Sequence, residues 1–118
     1  MPLHAERGLE PEPDIMVLAG VPDNYASVPR PADVLLLVEV SLSTLSYDRN
    51  TKATLYAVSG IADYWIINLQ NRTLEVRRQP GRGGYASLRI YRETDAVALL
   101  AAPNSPVRVS DLLPILQI

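Results

Sequence analysis

An α/β fold is predicted by three features of this 118-residue chain. The first is Asp33-Val34-Leu35-Leu36-Leu37-Val38-Glu39-Val40-Ser41, an apolar run of strand length without polar alternation. Such a run marks a strand buried on both faces, at the centre of a sheet covered by helices. The second is order: helix-forming residues from about 48 to 59 follow that strand, and another strong strand follows them at 63–69. The third is a pair of alternating runs, 73–78 and 85–91, on either side of a Pro/Gly turn, the pattern of an antiparallel hairpin. A mixed central sheet of five or six strands with a flanking helix accommodates all three.

The length fits one domain with a single modest core. The composition has enough apolar residues, 47%, to make wholesale disorder unexpected. There are no cysteines, which excludes a disulfide scaffold, a cysteine nucleophile and a thiolate zinc site. No apolar run approaches the roughly 18 residues of a membrane span. The first residues lack the basic-then-apolar pattern of a leader, so a soluble, cytoplasmic protein is expected. Charge is unevenly placed. Residues 1–66 carry nine acidic residues against Arg7, Arg30, Arg49 and Lys52, whereas residues 67–118 carry seven arginines against Glu75, Glu93, Asp95 and Asp111.

Taken in order, residues 1–12 are polar and twice broken by proline, and are expected to form an extended arm ahead of a core domain at 13–118. Within that arm His4 is given no role. Pro13 to Ala19 reads as a short strand begun by proline, with Asp14 at its mouth. Residues 20–31 are loop by their Pro, Gly, Asp and Asn content. After the central strand, Ser41 to Ser46 is a hydroxyl-rich connection in which Ser46, or Asp48 just beyond it, is placed to cap the helix. Gly60 supplies a left-handed stop with Ile61 as its apolar latch. Lys52 and Tyr56, four apart, share one helix face. Gln70-Asn71-Arg72 is a tight turn, and Leu74 and Val76 alternate with charge, so the next strand is expected to keep one wet face. Residues 80–84 form a flexible hairpin tip, and they are not a phosphate loop because they join strands rather than open a helix. Arg77, Arg78, Arg82 and Arg89 read as a solvated sheet face before a phosphate-facing surface. Residues 96–101 are expected to be an edge strand, followed by a short strand at 107–109 and a capped turn.

A carboxylate inside an apolar strand costs several kcal/mol unless it is paired, protonated or metal-bound, so the residues able to converge on Glu39 define the candidate site. They are Asp14 from the preceding strand, Lys52 from the following helix, and the hydroxyls of Ser41, Ser43 and Thr44. Two carboxylates with the backbone carbonyl of Val40 would form the hard oxygen set magnesium prefers. A nearby lysine can hold a phosphate or position water. The bland alternative is a structural carboxylate paired with Lys52 or Arg49. Tyr56 and Trp65 read as core or subunit-contact residues.

Pro13-Asp14, Leu37-Val38-Glu39-Val40 with its serine-rich loop, Tyr47-Asp48-Arg49 and Lys52, Leu55-Tyr56-Ala57 with Gly60-Ile61, and Asp63-Tyr64-Trp65 occur in that order. Together they resemble the Uma family of bacterial restriction-endonuclease-like proteins, within the PD-(D/E)XK nuclease superfamily, over roughly residues 11 to 114. The resemblance implies a restriction-endonuclease-like core and an endonuclease that hydrolyses DNA phosphodiester bonds with Mg2+ or Mn2+. It also implies Asp14, Glu39 and the Val40 carbonyl as metal ligands and Lys52 as the catalytic lysine, carried on the helix. In the usual superfamily pattern that lysine stands two places after the glutamate, where this chain has Ser41. Compared with the family pattern the chain is short ahead of Pro13-Asp14, which would leave a sheet edge for a second subunit to cover. A homodimer is therefore expected, with no organic cofactor and no membrane. The alternative function for such a shortened member is an inactive oligomerising or DNA-binding module of the same fold.

Overall fold

The computed structural model describes residues 13–20 and 30–113. The expected arm at 1–12, residues 21–29 of the expected loop and residues 114–118 lie outside the described residues. Seven strands are described: β1 (Ile15–Leu18), β2 (Val34–Ser41), β3 (Asp63–Asn68), β4 (Thr73–Gly81), β5 (Gly84–Arg92), β6 (Ala96–Val97) and β7 (Val107–Arg108). The first five form one mixed sheet in the order β1-β2-β3-β4-β5, with β2 and β3 parallel and the other neighbours antiparallel. The parallel pair requires a crossover, and the helical stretch between β2 and β3 supplies it. This is the expected α/β architecture, a mixed sheet with a flanking helix.

That stretch is α1 (Leu45–Tyr47), a π-helical turn at Asp48–Lys52, and α2 (Ala53–Val58). It starts earlier than the expected 48–59. Thr44, rather than Ser46 or Asp48, occupies the position before the helix, and its hydroxyl donates to Asp48 Oδ2 at 2.9 Å instead of capping a backbone amide. Asp48 is buried inside the helix, so it is not a cap at all. The far end behaves as expected. Gly60 has φ +84°, its amide donates to Ala57 O, and the Ile61 amide reaches back to Tyr56 O. Those two bonds make a Schellman stop, with Ile61 fully buried behind it.

The sheet buries apolar residues on both faces. One face packs Leu37, Tyr64 and Ile66 under Ala53, Tyr56 and Ile61. The opposite face packs Leu36, Val38, Trp65, Ile67, Leu74 and Val76 under Val97, Val109 and Leu113. The covering layer there is made by the two-stranded β6–β7 sheet and a 3-10 turn at Val109–Leu112. The segment at 96–101 is thus not an edge strand of the main sheet, because only Ala96–Val97 is extended and it pairs with β7.

The expected wet face of β4 is also overturned. Leu74, Glu75, Val76 and Arg77 are all buried, with Glu75 1% and Arg77 8% exposed. The helix covers the charged side of the strand, and Arg49 closes over Glu75 from that helix. Nor do the four arginines form one solvated face: Arg77 pairs with Glu75 and Arg78 with Asp63.

Candidate active site

The site forms at the carboxyl end of β2. Antiparallel register pairs Ile15 with Val38, so Asp14, one residue before β1, stands beside the end of β2 that carries Glu39 and Val40. Its Oδ2 accepts the Val40 amide at 2.7 Å. Asp14 thereby continues the ladder with its side chain after the backbone pairing stops. The Ser41 carbonyl accepts from Leu69 on the β3 side. Strand alternation therefore turns the Val40 amide and carbonyl towards the Asp14 side.

Glu39 points to the helix face and is only 2% exposed. Its Oε2 accepts Lys52 Nζ at 3.0 Å and the Tyr56 hydroxyl at 3.1 Å. Lys52 also lies 3.5 Å from Asp48 Oδ1 and over the Tyr47 ring, 5.5 Å from its centroid. The π-helical turn matters here, because Asp48 and Lys52 both reach the cleft while the Asp48 carbonyl accepts the Tyr64 hydroxyl at 2.9 Å. Single π-helical turns inside α-helices are frequent at functional sites. A cleft of about 310 Å³ is lined by Asp14, Glu39, Val40, Thr44, Asp48 and Lys52, with Tyr47 at its side.

Counting Asp14, Glu39 and Asp48 against Lys52 leaves a surplus of two negative charges around the cleft. Burial pushes the Glu39 carboxyl above its ordinary value, and Asp48 adds to that, against the opposing pull of Lys52 and Tyr56. Burial alone would lower Lys52, but the hydrogen bonds and charges of Glu39 and Asp48 outweigh it and raise the ammonium. Both shifts reflect a site short of positive charge. Burial, with Glu39 and Asp48 beside it, also pushes the Tyr56 hydroxyl well up, so it serves as a hydrogen-bond donor only.

The pattern of the Uma2 family, described as putative restriction endonuclease, matches residues 1–109. The chain belongs to the Uma2 family. No curated protein matches it. Membership accounts for the restriction-endonuclease-like core and gives the chain a nuclease-like family setting.

Of the residues singled out from sequence, Glu39, Lys52, Asp14 and Val40 converge on one cleft. The serine hydroxyls do not reach Glu39: Ser41 Oγ lies 3.5 Å from Thr44 Oγ1, and Thr44 turns to Asp48. Arg49, the alternative partner of Glu39, goes to Glu75 instead. Asp48 and Tyr56 were not predicted as part of the site. The spacing Asp48, Lys52, Tyr56, each four apart, was the available signal, since residues at that spacing line one helix face.

Oxygen donors for a divalent cation are present. Glu39 and Asp14 each commit one carboxylate oxygen to internal hydrogen bonds, and among the described residues the other, Oε1 or Oδ1, accepts none. No group of three or more His, Cys, Asp or Glu placed to hold a metal occurs among the described residues. A protein contribution of two carboxylates and a carbonyl fits magnesium, which keeps several waters and takes one or two carboxylates.

Proposed function

We propose that this chain is a divalent-metal-dependent endonuclease that hydrolyses DNA phosphodiester bonds. The observation that carries the reading is the convergence of Asp14, Glu39, the Val40 carbonyl and Lys52 on one acidic cleft at the end of β2. Asp14, Glu39 and the Val40 carbonyl would hold Mg2+ or Mn2+, which when bound supplies charge neutralisation at the phosphoryl oxygens and an acidified water. Lys52 contributes a fixed ammonium beside the scissile phosphate, where negative charge accumulates as water attacks phosphorus and the P–O bond breaks. Asp48 and Glu39 keep that ammonium protonated and aimed, and Tyr56 holds the Glu39 oxygen that Lys52 shares.

The Lys52–Glu39 ion pair also favours a second reading, an inactive member of the fold in which the pair only satisfies a buried carboxylate. One experiment separates them. Titration calorimetry with magnesium and manganese is run on the wild-type chain, Glu39→Gln and Asp14→Asn, beside cleavage of supercoiled plasmid. Saturable binding lost in both variants, with nicking abolished by Lys52→Met, is expected for the nuclease. An intact fold by circular dichroism with no cation binding and no nicking would leave the inactive reading.

A further inference from the structure

We propose that a second cleft, between the helix and the β4–β5 hairpin, binds a phosphate of the duplex DNA backbone. This rests on the DNA reading above. The cleft holds about 280 Å³ and is lined by the polar side chains of Arg49, Asn50, Thr54 and Arg77, with Gly83 and Gly84 of the hairpin tip along its rim. Every charged side chain in that lining is a cation. Behind it, Glu75 fixes both guanidinium groups: Arg49 Nε donates to its two oxygens at 3.1 and 3.2 Å, and Arg77 Nη1 donates at 3.0 Å. One carboxylate against two guanidiniums leaves a charge of +1. Burial opposes ionisation of Glu75, but the two arginines override it and hold the carboxyl below the ordinary carboxylate value, so the anchor stays ionised at neutral pH. Among the described residues, Arg77 Nε and Nη2 and Arg49 Nη1 donate no hydrogen bond, so donors remain for a ligand. Guanidinium forks held in place in this way suit phosphate oxygens.

The placement links the cleft to the acidic one. Asp48 and Lys52 line the first cleft, while Arg49, Asn50 and Ala53, on the same helical stretch, line the second. A single turn of helix thus presents an acidic, cation-seeking pocket on one side and a phosphate-seeking pocket on the other. One run of backbone could occupy both. The contact is to phosphate alone, so it would position a strand without reading its sequence.

The test is fluorescence anisotropy of two labelled duplexes of unrelated sequence, at several salt concentrations, with calcium present to neutralise the acidic cleft. Thr54→Glu sets a carboxylate on an exposed helix position in the cleft without touching the Arg–Glu cluster, Thr54→Gln controls for size, and Arg49→Gln removes one cation. Thr54→Glu and Arg49→Gln are each expected to weaken both duplexes about five- to tenfold and to lower the salt slope by about one, while Thr54→Gln stays within about twofold. Affinities and slopes unchanged in Thr54→Glu, or no duplex binding by the wild-type chain, would overturn the proposal. So would calorimetric binding of inorganic phosphate to the cleft with duplex affinity indifferent to both variants, which would assign it to a free anion. Plasmid nicking is scored separately. Nicking with unaltered duplex binding in the variants removes this cleft and leaves the nuclease reading standing, whereas weakened binding without nicking does the reverse.

Discussion

Glu39 and Glu75 are both buried carboxylates on the helix face, and register places them on one line across the sheet: Glu39 opposite Ile66, and Ile66 opposite Glu75. Each is met by a cation from the helix, Lys52 or Arg49. Removing Lys52 would leave Glu39 and Asp48 facing each other with no cation between them. Breaking one side of a buried pair costs about 3–5 kcal/mol, and because Lys52 keeps some contact with water, Lys52→Met should cost about 2–3 kcal/mol in urea unfolding. Adding Glu39→Gln should recover part of that loss, and additive costs would show that the two residues are not coupled. Glu75 gives the pH prediction. Its folded pKa lies below the ordinary value of 4.5, so its stabilisation is fully present above that value and is lost as pH falls through the folded pKa. Glu75→Gln should therefore lower stability at neutral pH and flatten the loss that sets in as pH falls below 4.5, read from urea midpoints across a pH series.

At the scale of elements, the helix depends on its ends and on its two ion pairs more than on its length, since the continuous helical stretch from Leu45 to Val58 is only of marginal length for an isolated helix. Gly60 is the clearest case. A Cβ there would meet nothing within 4 Å, so Gly60→Ala is penalised only by its φ of +84°. The expected loss is about 1–2 kcal/mol in thermal or urea unfolding, and less for Gly60→Asn, which tolerates that conformation better. This stop was legible in the sequence because glycine followed by a large apolar residue is a local signal. The strands β2 to β5 were legible for the same reason, through continuous or alternating apolar patterns bounded by turns. The helix start was not. Ser46 and Asp48 have the chemistry of caps, but Asp48 is taken by Thr44 and Lys52, a tertiary arrangement that no local rule contains. The wet face of β4 failed similarly: Leu74-Glu75-Val76-Arg77 has perfect two-residue alternation, yet its charged side is buried by a cation arriving from residue 49. Within the site, Glu39 was visible as an anomaly in an apolar strand. Tyr56 was not, because a helix-face tyrosine looks like core until the carboxylate it serves is located.

The described residues form three layers, and buried Asp63 is one of the side chains that join the sheet to its C-terminal cover. Asp63, fully buried at the start of β3, accepts Trp65 Nε1 at 2.7 Å and Arg78 Nε at 2.9 Å on Oδ1, and Arg78 Nη2 at 3.3 Å and the Leu100 amide at 2.9 Å on Oδ2. Arg78 continues to the Ala98 carbonyl. The layer made by β6, β7 and the turn at Val109–Leu112 is thus fastened to β3 and β4 by hydrogen bonds as well as by packing on Trp65, Leu74 and Val76. Asp63→Asn keeps the shape but replaces one acceptor oxygen with an NH2 group, so two donors would face each other wherever the amide turns. Leaving charged and amide donors unpaired in a buried site costs about 2–4 kcal/mol. Trp65 is the only tryptophan, so its emission reports directly on this junction. The expected result is a red-shifted Trp65 emission at temperatures below global melting, with amide hydrogen exchange rising first across residues 96–113 and later in β2 and β3. Uniform acceleration throughout the chain would instead mean that Asp63 supports the fold as one cooperative unit. The two clefts on the helix face would then open together with the C-terminal layer on the opposite face, and cation binding should raise the melting temperature of Asp63→Asn as much as that of the wild-type chain.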